Sequence, residues 1–162
     1  MNGIFPDAFK IAEVLPLFKG GARDILGNYR PISLLPQFGK IFEKIMAKRL
    51  KNFLCTNEIL TMHQFGFRKS YSTELAIVDM YDHLLEKLDN KDYTCAIFLD
   101  LAKAFDSVKH SISLAKLQKY GVRGIALKLF ESYLSNRWQY VKLLNQQSDP
   151  RLIDIGVPQG LF

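Results

Sequence analysis

Tyr93-Thr94-Cys95-Ala96-Ile97-Phe98-Leu99-Asp100-Leu101-Ala102-Lys103-Ala104-Phe105-Asp106 is an apolar run closed by an acid. Tyr93 to Leu99 is of strand length and too short for a buried helix, so it reads as a strand at the centre of a sheet, with Cys95 as a core residue. Working outward, Phe38, Ile41, Phe42, Ile45, Met46, Leu50, Phe53 and Leu54 keep three/four spacing, with Lys40, Glu43, Lys44, Lys48 and Lys51 between them. That pattern predicts an amphipathic helix with a basic outer face. A second helix is predicted from Ser72 or Thr73 to Asp89-Asn90, with Leu75, Val78, Leu85 and Leu88 inward and Glu74 favouring its N-terminus. Helical patterns follow at Ser111 to Tyr120, stopped by Gly121, and at Ile125 to Ser135. Strands are predicted at residues 11 to 18, at Trp138 to Leu144 and at Leu152 to Ile155. This mixed order implies an α+β fold with a mainly antiparallel sheet backed by helices.

The 162 residues, 48% hydrophobic and 23% charged, suit one domain with a core and exclude a disordered or fibrous chain. No stretch reaches the roughly 20 apolar residues of a membrane span, so no membrane partner is expected. The N-terminus lacks the basic start and cleavage site of a secretory signal, which points to an intracellular location, nucleus or cytoplasm. Cys55 and Cys95 are far apart, and neither they nor His63, His83 and His110 have metal-ligand spacing. The net charge of +6 favours a polyanionic partner, although charge alone fits a solvated lysine surface equally well.

Asp100 is the residue of chemical interest. A carboxylate at the C-terminal end of a buried strand is held rigidly yet faces solvent, where it can bind a hard cation. An isolated strand-end Asp more often caps the next turn. A phosphotransferase loop would need a second acid two residues on, and Ala102 stands there.

Other blocks set Asp100 in context. Asn28-Tyr29-Arg30-Pro31-Ile32-Ser33-Leu34-Leu35, Gly39-Lys40-Ile41-Phe42-Glu43-Lys44, Gln64-Phe65-Gly66-Phe67-Arg68, the Asp100 segment and Gly156-Val157-Pro158-Gln159-Gly160 follow in one order. Together they resemble the successive blocks of the reverse transcriptase of non-LTR (LINE-like) retrotransposons, across almost the whole chain. The resemblance implies RNA-directed DNA polymerase chemistry on an RNA template, a DNA primer and deoxynucleoside triphosphates, with two Mg²⁺ ions, or Mn²⁺ in their place. It implies fingers and a partial palm of a right-hand polymerase, with fingers and palm helices over about residues 1–92 and an incomplete palm over about 93–162.

By the same resemblance Asp100 is the catalytic metal ligand, aided by the backbone carbonyl of Leu101. Phe105 lies under the incoming sugar and excludes a 2′-hydroxyl. Asp106 is given a structural, turn-forming role. Arg30, and Lys19 on its Gly-flanked turn, suit the triphosphate from two strands of a closing hairpin, whereas alone each reads as a surface cation. Gln159 and Gly160, after Pro158, position the nucleotide. Phe65, Phe67, Arg68, Lys69 and Tyr71 interleave rings with charge, so that Arg68 and Lys69 face nucleic acid while the phenylalanines serve either as stacking platforms or as core.

The sequence departs from the family after Gly160. Leu161 stands where Ser is usual, and no adjacent aspartates occur to make the Tyr-x-Asp-Asp turn. The reading is therefore of an N-terminal fragment, inactive alone. The alternative is a non-catalytic RNA- or DNA-binding remnant. The sequence assigns no oligomeric state.

Overall fold

The computed structural model describes residues 2–158. They form two compact units, one of Met1–Lys48 with Ala102–Phe162 and one of Arg49–Leu101.

The first unit is built on a sheet. Strand β1 (Ile11–Phe18) buries Ala12 and Val14 and turns Ile11, Leu15 and Leu17 outward, the period-two pattern of a strand with one covered face. It pairs antiparallel with β2 (Tyr29–Leu34) and parallel with β3 (Arg137–Leu143), which in turn pairs antiparallel with β4 (Gln146–Gln147) and β5 (Arg151–Ile153). Two prolines face each other at Pro16↔Pro31. Neither has an N–H to donate, and the β1–β3 ladder ends earlier, at Val14↔Val141, so no bond to β3 is lost at Pro16. With three of four strand pairings antiparallel, the sheet and the helices agree with the α+β expectation. The parallel β1–β3 pairing was not foreseeable from periodicity, which reports a strand's faces and not its neighbour.

Helix α1 (Gln37–Thr56) begins in this unit, and α3 (His110–Lys119) packs on α4 (Gly124–Leu134). Between α3 and α4 the chain reverses at Gly121, whose φ of +97° closes a Schellman end. There Val122 N–H donates to the Leu117 carbonyl and Gly121 N–H to that of Gln118. The core centres on Phe5, which meets Phe9, Phe42 and Tyr133 edge-on at ring distances of 6.3, 6.3 and 5.1 Å. Ala12, Val14, Leu35, Met46, Val122 and Leu134 complete it.

The second unit is helical. It holds the end of α1 and all of α2 (Thr73–Asp89), which Ser72 caps by accepting the Leu75 N–H on its Oγ. Three expectations fail here. Tyr93 to Leu99 is not a strand: it has no regular secondary structure and is exposed, with Leu99 at 90%. A strand needs a hydrogen-bonding edge, and among the described residues this unit contains no other strand. Cys95 is correspondingly exposed and free rather than core. Leu75, Val78, Leu85 and Leu88 of α2, predicted inward, remain exposed because the unit places no apolar layer over that face. No helix among the described residues is long and apolar enough to cross a membrane.

Candidate functional site

Lys19 and Arg30 stand at the loop end of the β1–β2 hairpin, where Leu17 pairs with Arg30 and Phe18 with Tyr29. The turn between them is closed by Lys19 N–H donating to the Asn28 carbonyl at 2.8 Å. Asn28 Nδ2 holds the Ala22 carbonyl and Tyr29 Oη the Arg23 carbonyl, so the turn is tied down from within. Both cations remain exposed on a backbone that is fixed. A mobile side chain on a rigid hairpin suits binding of an external anion.

Residues 102–107 make a compact turn that carries Phe105 and Asp106. Phe105 is 47% exposed, and its carbonyl accepts from Val157 N–H at 3.0 Å. Gly156 N–H donates to the Val108 carbonyl at 2.8 Å, and Lys109 bridges Ile155. At Gly156, with φ of +87°, a Cβ would sit 3.0 Å from the Asp106 carbonyl oxygen and 3.1 Å from its Cα, so only glycine lets these backbones touch. The imidazole Nε2 of His110 lies 2.7 Å from the Gly156 carbonyl oxygen. That oxygen can only accept, so Nε2 carries the proton. The structure therefore joins Phe105 to the start of the Gly156-Val157-Pro158 block, while Gln159 and Gly160 lie outside the described residues. Asp106, half-buried in its turn, donates its N–H to the Lys103 carbonyl, in keeping with a turn-forming role.

A cavity of about 270 Å³ lies beside this junction, lined among others by Ser33, Asp106, Arg137, Trp138 and Pro158. Arg137 is 2% exposed. Its guanidinium sits 4.8 Å over the Tyr133 ring and donates through Nη1 to the Tyr133 carbonyl, and Tyr133 Oη donates to Glu43 Oε1 at 2.8 Å. Glu43 was expected on the outer face of α1 and is instead 5% exposed. Gly39, Glu43 and Met46 are the buried positions of that helix, spaced four and three apart, so Glu43 occupies the inward stripe. Burial pushes its carboxyl above the usual range, partly countered by the Tyr133 hydroxyl and the charge of Arg137. The same burial lowers Arg137 and, with the charge of Glu43, raises the Tyr133 phenol well above its usual value.

In the second unit Asp100 and Leu101 are exposed at the end of this irregular run. Arg68 is turned toward its own loop: Nη1 donates to the Thr61 carbonyl at 2.8 Å, and the guanidinium lies 4.0 Å over the Tyr71 ring. Tyr71 also meets Phe65, at 5.6 Å, so these side chains brace the loop, whereas Lys69 is exposed. His63 and His83, distant in sequence, come to 6.0 Å ring to ring. Nδ1 of His83 donates to the Asp79 carbonyl, and Nδ1 of His63 lies 3.4 Å from the Asp79 carboxylate.

Residues 18–162 match the model of the reverse transcriptase (RNA-dependent DNA polymerase) family. The chain belongs to that family. Among curated proteins this reverse transcriptase segment is 37% identical to the probable RNA-directed DNA polymerase from transposon BS of Drosophila melanogaster, over 96% of the chain and 17% of the relative. It is 34% identical to the RNA-directed DNA polymerase from mobile element jockey of the same species, over 98% and 17%. A third relative is the Pol polyprotein from type-1 retrotransposable element R1 of Bradysia coprophila, 32% identical over 86% and 14%. The segment thus spans about one-sixth of the length of the first two.

Reverse transcriptases use divalent metals, and the donor chemistry of Asp100 and the Leu101 carbonyl, hard oxygens, suits Mg²⁺ or Mn²⁺. Among the described residues of this reverse transcriptase segment, however, no three His, Cys, Asp or Glu side chains converge as a metal would require. The described residues do not by themselves make a metal centre. His110, Glu43, Tyr133 and Arg137 escaped the sequence reading. The buried stripe through Gly39 and Met46 was the available signal for Glu43; a lone His at the start of a helix carries none.

Proposed function

We propose that the chain is part of the polymerase core of a non-LTR retrotransposon reverse transcriptase, contributing to template-directed deoxynucleotide transfer onto a DNA primer along RNA. The observation that carries this reading is the family match over residues 18–162, with relatives named as RNA-directed DNA polymerases of mobile elements. Residues 1–92 form fingers with palm helices and residues 93–162 part of the palm. Asp100 and the Leu101 carbonyl supply two oxygen ligands to a divalent cation, Lys19 and Arg30 hold the triphosphate, Phe105 bars a 2′-hydroxyl, and Gln159 with Gly160 positions the nucleotide. Lys69 faces nucleic acid. Arg68 acts there too, through the loop it braces.

Support for the triphosphate assignment is the hairpin, which carries both cations at one end of a rigid frame. Arg30 in particular presents a planar fork to phosphate oxygens. In the full-length polymerase carrying this segment, Asp100→Asn should abolish primer extension on RNA. Arg30→Ala should raise the nucleotide KM by roughly tenfold or more, the loss of one charged hydrogen bond. Undiminished extension by Asp100→Asn would leave the second reading, a nucleic-acid-binding segment without catalysis, which the net charge of +6 favours.

A further inference from the structure

The turn carrying Phe105 and the segment leading to Pro158 are distant in sequence, yet hydrogen bonds sew them together, three of them among the described residues being Val157 to Phe105, Gly156 to Val108 and His110 to Gly156. Two are backbone ladder contacts, Val157 N–H to the Phe105 carbonyl and Gly156 N–H to that of Val108. These survive any side-chain change. The third is the only one of the three that a side chain makes: His110 Nε2–H to the Gly156 carbonyl, at 2.7 Å and partly buried. It reaches across 46 positions from the first residue of α3. The same residue runs close to the Asp106 backbone, leaving no room there for a Cβ. The imidazole thus bonds the segment at the point where its backbone passes the Phe105-Asp106 turn.

We propose that His110 is a positioning residue that sets the sugar wall at Phe105 against the Gly156-Val157-Pro158 block, and so tunes nucleotide fit and sugar choice. This rests on the polymerase reading above. His110 touches no substrate; it acts through the Gly156 carbonyl. With the imidazole gone, that carbonyl loses its side-chain donor and Gly156-Val157 can shift. Because Val157 is bonded to the Phe105 carbonyl, the shift reaches Phe105 directly. What matters is a donor at the Nε2 position, which the neutral tautomer and the imidazolium both supply.

Primer extension by the full-length polymerase carrying this segment, with deoxy- and ribonucleoside triphosphates in competition, reads the effect. His110→Ala should raise the deoxynucleotide KM and weaken sugar discrimination, each by roughly three- to tenfold, the range that loss of one hydrogen bond allows. His110→Gln, whose amide nitrogen reaches about as far as Nε2, should restore both. His110→Asn, whose amide stops short of the carbonyl, should resemble Ala and replaces it if Ala does not fold. A merely structural histidine would lower thermal stability or scale kcat and leave KM and discrimination at wild-type values. That result overturns the proposal, as does a Gln variant no better than Ala. Asp100→Asn separates the two readings. If it extends normally, the polymerase reading fails; if it is dead while the His110 series is flat, only the role of His110 fails.

Discussion

A carboxylate and a guanidinium withdrawn from water on either side of one tyrosine make a costly arrangement, and Glu43, Tyr133 and Arg137 show what holds it. Each charge is expensive to bury, and each is tolerated because the other is near and the tyrosine bonds to both residues. Arg137→Met should therefore destabilise the chain by about 3 kcal/mol at neutral pH in urea unfolding, by leaving the buried Glu43 carboxyl without its neighbouring cation. The sign of the pH dependence follows from the raised Glu43 pKa. The folded state binds that proton more tightly than the unfolded one, so the contribution is fully present below the usual value near 4.5 and is lost as pH rises through the folded value. The Arg137→Met deficit should accordingly narrow as pH falls and Glu43 protonates, and Glu43→Leu added to Arg137→Met should recover most of it. A deficit that does not change with pH would show that Glu43 is not its source. If Phe105 is the sugar wall proposed above, Phe105→Val, which keeps the backbone bond from Val157 and removes the ring, should raise ribonucleotide incorporation by about tenfold or more in a primer-extension competition. Phe105 was singled out because an aromatic at that offset from Asp100 stands inside a recognisable block, and its role in sugar choice is the proposal that this variant tests. Arg137 was not, because nothing local marks an Arg at the start of a strand as buried.

Elements bounded by local chemistry were read well. Ser72 and Thr73 were the candidate helix starts, because a hydroxyl before an apolar-periodic stretch can accept an orphan N–H, and Ser72 does so from Leu75. Glu74 beside it is held below the usual carboxylate range by the Ser72 hydroxyl and the free backbone donors of the first turn. Ser72→Ala should lower α2 stability by about 1 kcal/mol, seen as faster hydrogen exchange at the amides of Leu75 and Ala76, with no change in the amides of β1. Gly121 ended its helix as predicted, through a left-handed φ. The element misread was the one whose state depends on a partner. A mostly apolar run of seven residues, Tyr93 to Leu99, can be a central strand or an exposed run, and only the presence of a neighbouring edge decides between them. The exposed face of α2 failed in the same way: amphipathic spacing identifies a face that wants cover, and the covering layer is a separate fact.

At the scale of the molecule, the surplus positive charge should express itself as salt-sensitive binding to nucleic acid. If Lys69, which is exposed, neutralises one phosphate, affinity for single-stranded RNA should fall roughly two- to threefold between about 50 and 200 mM salt, measured by fluorescence anisotropy. Affinity that ignored salt would remove the phosphate contacts from the account. The sheet has a further consequence, in the order of events during synthesis. Strand β1 finds β2 early, across the loop of residues 19–28, but its parallel partner lies far downstream: Glu13 pairs with Tyr140, 127 positions later. At roughly 5–20 residues per second, a ribosome needs on the order of ten seconds to deliver that stretch. Throughout that interval the nascent hairpin shows the Ile11 to Val14 edge, unpaired and partly apolar, to whatever surrounds it. A chaperone that shields strand edges would act on this chain early, before residue 143 emerges, and slowing translation across α2 would lengthen the exposure without altering a single contact of the finished fold.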